Sequence, residues 1–94
     1  MRYIELKHNG KVLTGEKEIN QILTSKKLYW LIDSEFENAV LELKKDTIIW
    51  YSGDFYSGTW HYGIFKGGSF HGDWESGIFE NGNFAGKWID GIRL

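Results

Sequence analysis

The chain has 94 residues, a formal net charge of −2 and no cysteine. This length fits one domain, the charge excludes a basic field for non-specific nucleic-acid binding, and the lack of cysteine excludes disulfides and thiolate metal sites. No apolar run reaches the ~20 residues of a membrane span and no segment is typical of a signal peptide, so we expect a cytoplasmic protein without a membrane span.

The composition of the chain changes near residue 50. Gly occurs twice in residues 1–49 and ten times in residues 50–94. Proline is absent and no Ser/Gly-rich linker separates the two halves. We therefore expect a single domain over residues 1–94, in which 1–50 form an α/β cap and 51–94 form a Gly/aromatic repeat.

The cap begins with signals for a hairpin and a helix. Residues 1–6 alternate apolar and polar, as in a strand, and Asn9-Gly10 is a strong hairpin-turn signal. Residues 11–13 are then expected to form the second strand of the hairpin. Apolar residues then recur at the spacing of one helix face within 16–25. These patterns predict a β-hairpin followed by one short amphipathic helix.

Three apolar segments complete the cap. Segments 28–32, 39–43 and 47–51 are rich in β-branched and aromatic residues, which predicts strands. The polar segments between them, 33–38 and 44–46, predict turns. The last of these strands leads directly into the repeat.

The C-terminal half is organised by regularly spaced glycines, at positions 53, 58, 63, 68, 72, 77, 82, 86 and 91. An aromatic residue follows two positions after each of the first eight, and Arg93 takes that place after the ninth. The pattern closes on a period of fourteen residues, which makes Trp60, Trp74 and Trp88 equivalent. Because side chains alternate along a strand, we expect the aromatic residues to form the core. The alternative is an exposed platform that stacks sugars or bases.

The turns within the repeat predict its strand arrangement. Ser76-Gly77 and Asn81-Gly82 are typical two-residue turns, which favours strands of two or three residues in an antiparallel β-meander. The expected fold class is therefore mainly β (α+β), with an N-terminal hairpin, one short helix and further strands that cap a C-terminal meander.

The repeat also resembles known families. Residues 56–63, 70–77 and 84–91 read Tyr/Phe-x-Gly-x-Trp-x-x-Gly, which is similar to the opening of the MORN repeat and places the resemblance in residues 51–94. The resemblance implies stacked β-hairpins used for scaffolding, dimerisation and contacts with proteins or lipids. The Gly-x-Trp/Phe array is also similar to small repeat proteins of bacteriophages. Its Gly-x-Phe steps of five resemble pentapeptide-repeat solenoids, so a pentapeptide-type β-solenoid is the alternative fold.

No arrangement of reactive side chains predicts catalysis. The three histidines lack the spacing of a zinc site and no serine lies in a nucleophile elbow. Asp73 and Glu75 flank Trp74 as the nearest approach to a glycosidase-like carboxylate pair, and acidic residues alternate within 33–37. Both patterns are expected of an exposed polar face. We predict a non-enzymatic domain without catalytic residues, metal or cofactor.

Two functions of different classes agree with this pattern. In the first, the chain is a protein-interaction or self-assembly module and forms a homo-oligomer. The bacteriophage resemblance implies a phage-encoded form that acts on a host component in the host cytoplasm. In the alternative, the chain binds a small molecule, a nucleotide or sugar, in an aromatic cleft between the cap and the repeat.

The C-terminal end of the repeat carries the predicted interface. Apolar residues accumulate there beside charged ones, a composition that marks contact surfaces. The predicted interface residues are Ile78, Lys87, Ile89, Asp90, Ile92, Arg93 and Leu94. The alternative is that the cap folds over these residues and makes them part of the core.

Overall fold

The computed structural model describes residues 1–94 and is mainly β with two short helices. The N-terminal half contains β1 Tyr3–His8, β2 Lys11–Leu13, α1 Glu16–Ser25, α2 Tyr29–Ile32, β3 Glu35–Lys44 and β4 Thr47–Ser57. The remaining strands have two residues each: β5 Thr59–Trp60, β6 Ile64–Phe65, β7 Ser69–Phe70, β8 Asp73–Trp74, β9 Ile78–Phe79, β10 Asn83–Phe84, β11 Lys87–Trp88 and β12 Ile92–Arg93.

The predicted hairpin and the predicted helix are confirmed. β1 and β2 pair antiparallel, and the turn between them has Asn9 at φ 49° and Gly10 at φ 75°. Both values lie in the left-handed region that a two-residue hairpin turn requires. Helix α1 covers residues 16–25 as predicted, and it buries Ile19 and Leu23 one turn apart on the same face.

Two predictions in the cap are wrong. The strand predicted at 28–32 is a single helical turn, α2, which buries Leu28 and Leu31 on one side. A short apolar run carries no period that separates a strand from a helical turn, so the pattern did not distinguish them. The turn predicted at 33–38 is mostly strand, because β3 begins at Glu35. Its polar residues produce a bulge instead, with Asn38 at φ 57° inside an irregular register against β4.

Strand β4 joins the cap to the repeat. On one edge it pairs antiparallel with β3, and β3 in turn pairs parallel with β1. On its other edge it pairs parallel with two short strands, through Ile49 and Trp50 with β6 and through Asp54 and Phe55 with β7. The long strand is therefore the base on which the repeat is built.

The repeat is a β-solenoid-like stack, so the predicted antiparallel pairing is wrong. Its short strands pair only in parallel, in three stacks: β5-β8-β11, β4-β6-β9-β12 and β4-β7-β10. Thr59, Asp73 and Lys87 align across one stack, so each coil takes fourteen residues. This arrangement is compatible with the alternative fold.

Glycines stand where adjacent coils leave no room for a side chain. Gly77 has φ 109°, in the region that favours glycine. A Cβ atom at Gly77 would lie 2.5 Å from the carbonyl oxygen of Gly63 in the coil below. Adjacent coils thus approach most closely at their glycines, and this approach leaves no room for a side chain.

The interior of the coils consists of stacked aromatic rings in three columns. The Trp60 column contains Trp60, Trp74 and Trp88; the Phe55 column contains Phe55, Phe70 and Phe84; the Trp50 column contains Trp50, Phe65 and Phe79. Neighbouring rings in a column are 4.7–5.6 Å apart and nearly parallel. All except Phe84 and Trp88 are buried. The prediction that the aromatic residues form the core is confirmed, and an exposed platform is excluded for the buried rings.

Candidate interaction surface

The N-terminal end of the aromatic columns is covered by the cap. Strand β3 pairs along the free edge of β4, which closes the base of two strand stacks. Helix α2 lies against β5, with the ring of Trp30 centred 5.0 Å from that of Trp60. Two of the three strand stacks are thus paired with the cap at their base, and β5, at the base of the third, has no backbone partner there but lies against α2.

The C-terminal end of the columns is open. Strands β10, β11 and β12 each pair with one neighbour, β7, β8 and β9, and nothing lies on their other edge. Phe84 and Trp88 are half-buried, whereas Phe70 and Trp74 directly below them are fully buried. This end therefore presents unpaired backbone groups around partly exposed aromatic rings.

Arg93 takes the terminal position of the Trp50 column. It lies in register with Phe79, and its guanidinium carbon is 5.6 Å from the Phe79 ring centroid and 5.1 Å from that of Phe84. A planar guanidinium stacks on ring faces while it keeps its charge in water. The ninth aromatic position is thus filled by an exposed cation that covers two rings of its own chain.

The predicted interface residues are largely exposed. Ile89, Ile92 and Leu94 expose 54%, 56% and 76% of their surface. Lys87, Asp90 and Arg93 are also exposed, and Ile78 is partly buried. The alternative in which the cap buries these residues is wrong, because the cap covers the opposite end of the columns.

Two of the predicted interface residues, Ile78 and Asp90, differ from the others in their position or in their contacts. Ile78 lies one coil below Ile92 in the same stack, so it faces the side of the coils and is not at the edge. The Asp90 carboxylate accepts a hydrogen bond from the Gly91 backbone N–H at 2.8 Å. Asp90 therefore shapes a corner of the coil, as Asn81 does at Gly82.

Two outward-facing columns change character in the last coil. In one, His61 Nδ1 lies 2.9 Å from Glu75 Oε2, and Ile89 takes the next position. In the other, Lys66 Nζ lies 4.0 Å from Glu80 Oε2, and Leu94 follows. In each of these two columns, polar side chains pair in the lower coils, and an aliphatic residue takes the same position in the coil that carries the open edge.

Phe84 and Trp88 are functional candidates that the sequence reasoning missed, because it assigned every aromatic residue to the core. The sequence signal that could have identified them is the position of each ring in the order of the repeat copies. They are the last members of their columns, and the third column already ends in Arg93. The final rings of the Phe55 and Trp60 columns therefore lack a covering strand, whereas Phe79 is covered by β12 and Arg93.

The structure also contains a groove at the junction of cap and repeat. It has a volume of about 220 Å³, is open to solvent, and is lined by Trp30, Asp33, Ser34, Gly58, Thr59 and His61. Small-molecule sites usually enclose about 300–1,000 Å³. The Ser34 hydroxyl already donates a hydrogen bond to the Trp30 carbonyl oxygen at 2.6 Å. The groove is therefore small for a nucleotide and offers a single aromatic ring.

The acidic side chains on either side of Trp74 have different surroundings. Glu75 pairs with His61, while Asp73 is exposed on its strand. No group of three or more His, Asp or Glu side chains is positioned to hold a metal ion.

The largest pKa effect lies in the cap, where burial raises the pKa of the Tyr3 phenol to about 12. That hydroxyl donates a hydrogen bond to Asn20 Oδ1 at 2.5 Å.

Comparison with known proteins adds no assignment. No protein family, curated protein or solved structure matches this chain. The resemblances to MORN repeats and to bacteriophage repeat proteins rest on the quoted residues alone. Neither helix, of ten and four residues, is long and apolar enough to cross a bilayer.

Proposed function

We propose that this chain is a non-enzymatic β-repeat module for protein interaction and self-assembly, and that it acts in the cytoplasm through the open C-terminal end. One observation carries the proposal. The coils are closed by the cap at one end and are open at the other, where strand edges, two half-buried rings and exposed aliphatic residues lie together.

The composition of the last coil supports a contact surface. A terminal unit that ends a stack in water is expected to carry polar residues on its outer face. Here Ile89 and Leu94 follow paired polar side chains of the coils below, and Ile92 adds a third aliphatic side chain. Burial of what each still exposes contributes on the order of 1 kcal/mol.

Charged groups around the aliphatic residues support a specific contact. Lys87 and Arg93 provide positive charge and Asp90 provides negative charge at the same end. Interfaces typically combine an apolar centre with a polar rim, and Arg and aromatic residues are common among their strongest contributors. The bacteriophage resemblance extends the set of partners from a second copy of the chain to a host component.

Two exposed aliphatic residues at opposite edges of the sheet give a matched test. Ile92 and Val12 expose 56% and 53% of their surface, and they lie on β12 and β2. Wild type, Ile92→Asp and Val12→Asp are compared by light scattering and by cross-linking in the producing cells. We expect Ile92→Asp alone to lose self-association or a cross-linked partner, without a change in melting temperature.

The same variants separate the proposal from its alternatives. Equal association of all three proteins would show that the C-terminal end is not the contact surface. A nucleotide or sugar that raises the melting temperature of wild type and Ile92→Asp alike would support small-molecule binding instead.

A further inference from the structure

We propose that the open end binds a second copy of this chain, C-terminal end to C-terminal end, in a closed two-fold dimer. The inference rests on the proposed function and names the partner. It follows from the shape of the edge, from the covered opposite end, and from the position of Arg93.

The shape of the open edge selects a partner of the same shape. Three two-residue strand edges face outward around a single fourteen-residue coil. An extended peptide pairs with one of these edges and leaves the other two unpaired. A second coil with the same circumference satisfies all three edges at once, and this chain supplies such a coil.

The covered N-terminal end determines how many copies assemble. Head-to-tail stacking would require a free edge below the first coil, and β3 and α2 occupy that position. Two C-terminal ends therefore face each other, and the same surface is used by both copies. Such an isologous contact closes at two copies and does not grow into a filament.

Two-fold symmetry specifies which groups meet. An axis perpendicular to the coil axis reverses every strand of the second copy, so the terminal strands pair antiparallel. Such an axis passes through one of the three aromatic columns and places that column opposite the same column of the partner. Each of the other two columns then faces the other column of the partner.

Charge excludes one of the three possible axes. An axis through the Trp50 column would place Arg93 against the partner's Arg93, and two cations would oppose each other. Each remaining axis places Arg93 over an aromatic ring, either the partner's Trp88 or the partner's Phe84. Arg93 already stacks on rings of its own chain at 5.1 and 5.6 Å, so in the dimer its guanidinium is sandwiched between rings of both copies.

The test combines molecular mass with distances between spin labels. The chain has no cysteine, so a single introduced cysteine labels one site in each copy. Asn81→Cys places the label near the open end, and Val12→Cys places it at the opposite edge of the sheet, where both residues are exposed. We expect twice the 11.0 kDa chain mass and a shorter distance for the Asn81 pair than for the Val12 pair.

Disruption of the dimer provides the second measurement. Arg93→Glu and Ile92→Asp are each expected to weaken dimerisation at least about tenfold, while Val12→Asp leaves it unchanged. The distance measurement retains the native terminal residues, so it remains informative even where a disrupting variant folds poorly.

The remaining outcomes overturn the inference. A monomer at high concentration, an assembly larger than two, or a shorter distance for the Val12 pair would each contradict an end-to-end dimer. A wild-type monomer that still loses a cross-linked partner on Ile92→Asp would leave the proposed function intact. If Ile92→Asp loses neither self-association nor a cross-linked partner, that result would contradict both the dimer and the proposed function.

Discussion

Trp74 is the residue whose removal tests the aromatic core most directly. It is fully buried between Trp60 and Trp88, with ring centroids 5.2 and 5.6 Å away. Trp74→Ala is expected to cost about 3–5 kcal/mol of unfolding free energy in urea denaturation, because it leaves a cavity inside a column. Trp88→Ala is expected to cost less, since Trp88 is already half exposed.

Trp74→Phe is the matched control for the cavity variant. It retains a ring in the column and removes an indole N–H that is buried without a hydrogen-bond partner. We expect a smaller cost than for Trp74→Ala, because less volume is removed from the column. Equal urea midpoints for Trp74→Ala and wild type would show that the columns do not hold the coils together.

Gly77 tests the close approach of the coils. Gly77→Ala combines a φ of 109° with a Cβ position 2.5 Å from the Gly63 carbonyl oxygen. We expect a loss of about 3 kcal/mol or more in thermal or urea unfolding from strain and overlap together. Gly10→Ala is the control, because Gly10 also has positive φ but has nothing within 4 Å of its Cβ position. Comparable losses for the two variants would contradict a steric role for the glycine stack.

The Tyr3 phenol makes the unfolding free energy depend on pH in alkaline solution. Burial raises its pKa to about 12 from an ordinary 10.0, so the unfolded chain loses this proton at lower pH than the folded protein does. Its contribution is complete below pH 10 and is lost as the pH rises toward 12, by about 3 kcal/mol at most. Unfolding free energies between pH 9 and 12 are expected to fall more steeply for wild type than for Tyr3→Phe. Parallel pH profiles would contradict this contribution.

At the scale of elements, local signals were predictable and pairing partners were not. Asn9-Gly10 determines its own turn, so the hairpin followed from two residues. The two-residue strands alternate buried and exposed side chains whether they pair parallel or antiparallel, so the pattern at Trp60 and Trp74 predicts the core in both arrangements. The parallel register of the short strands distinguishes a coil from a meander, and this pattern of residues does not specify that register.

The candidate surface was also predictable only in part. The accumulation of Ile89, Ile92 and Leu94 beside charged residues is visible in the sequence. Their exposure depends on which end of the columns the cap covers, and that is decided by the pairing of β3 with β4. This hairpin lies within residues 35–57 and leaves no pattern in the sequence of the C-terminal end.

At the scale of the whole molecule, asymmetry between its two ends is the property that matters for function. The strand path runs from β2 at one edge to β12 at the other, and β12 carries the exposed aliphatic residues of the last coil. Three strand edges lie together with half-buried rings and exposed aliphatic residues at the C-terminal end, whereas the opposite edge of the sheet is the single three-residue strand β2, so we expect edge-to-edge contact at the C-terminal end. Its association is therefore expected to be saturable and limited to that end.

Backbone amide hydrogen exchange as a function of protein concentration tests this claim most directly. If the open end is the contact surface, those amides of residues 83–94 that do not already donate to the coil below gain protection as the protein associates, because their strand edges become paired. Amides of residues 11–13, on the opposite edge strand, are expected to exchange at the same rate throughout. Protection that appears at residues 11–13 while residues 83–94 remain unchanged would place the contact on the opposite edge and contradict the proposed function.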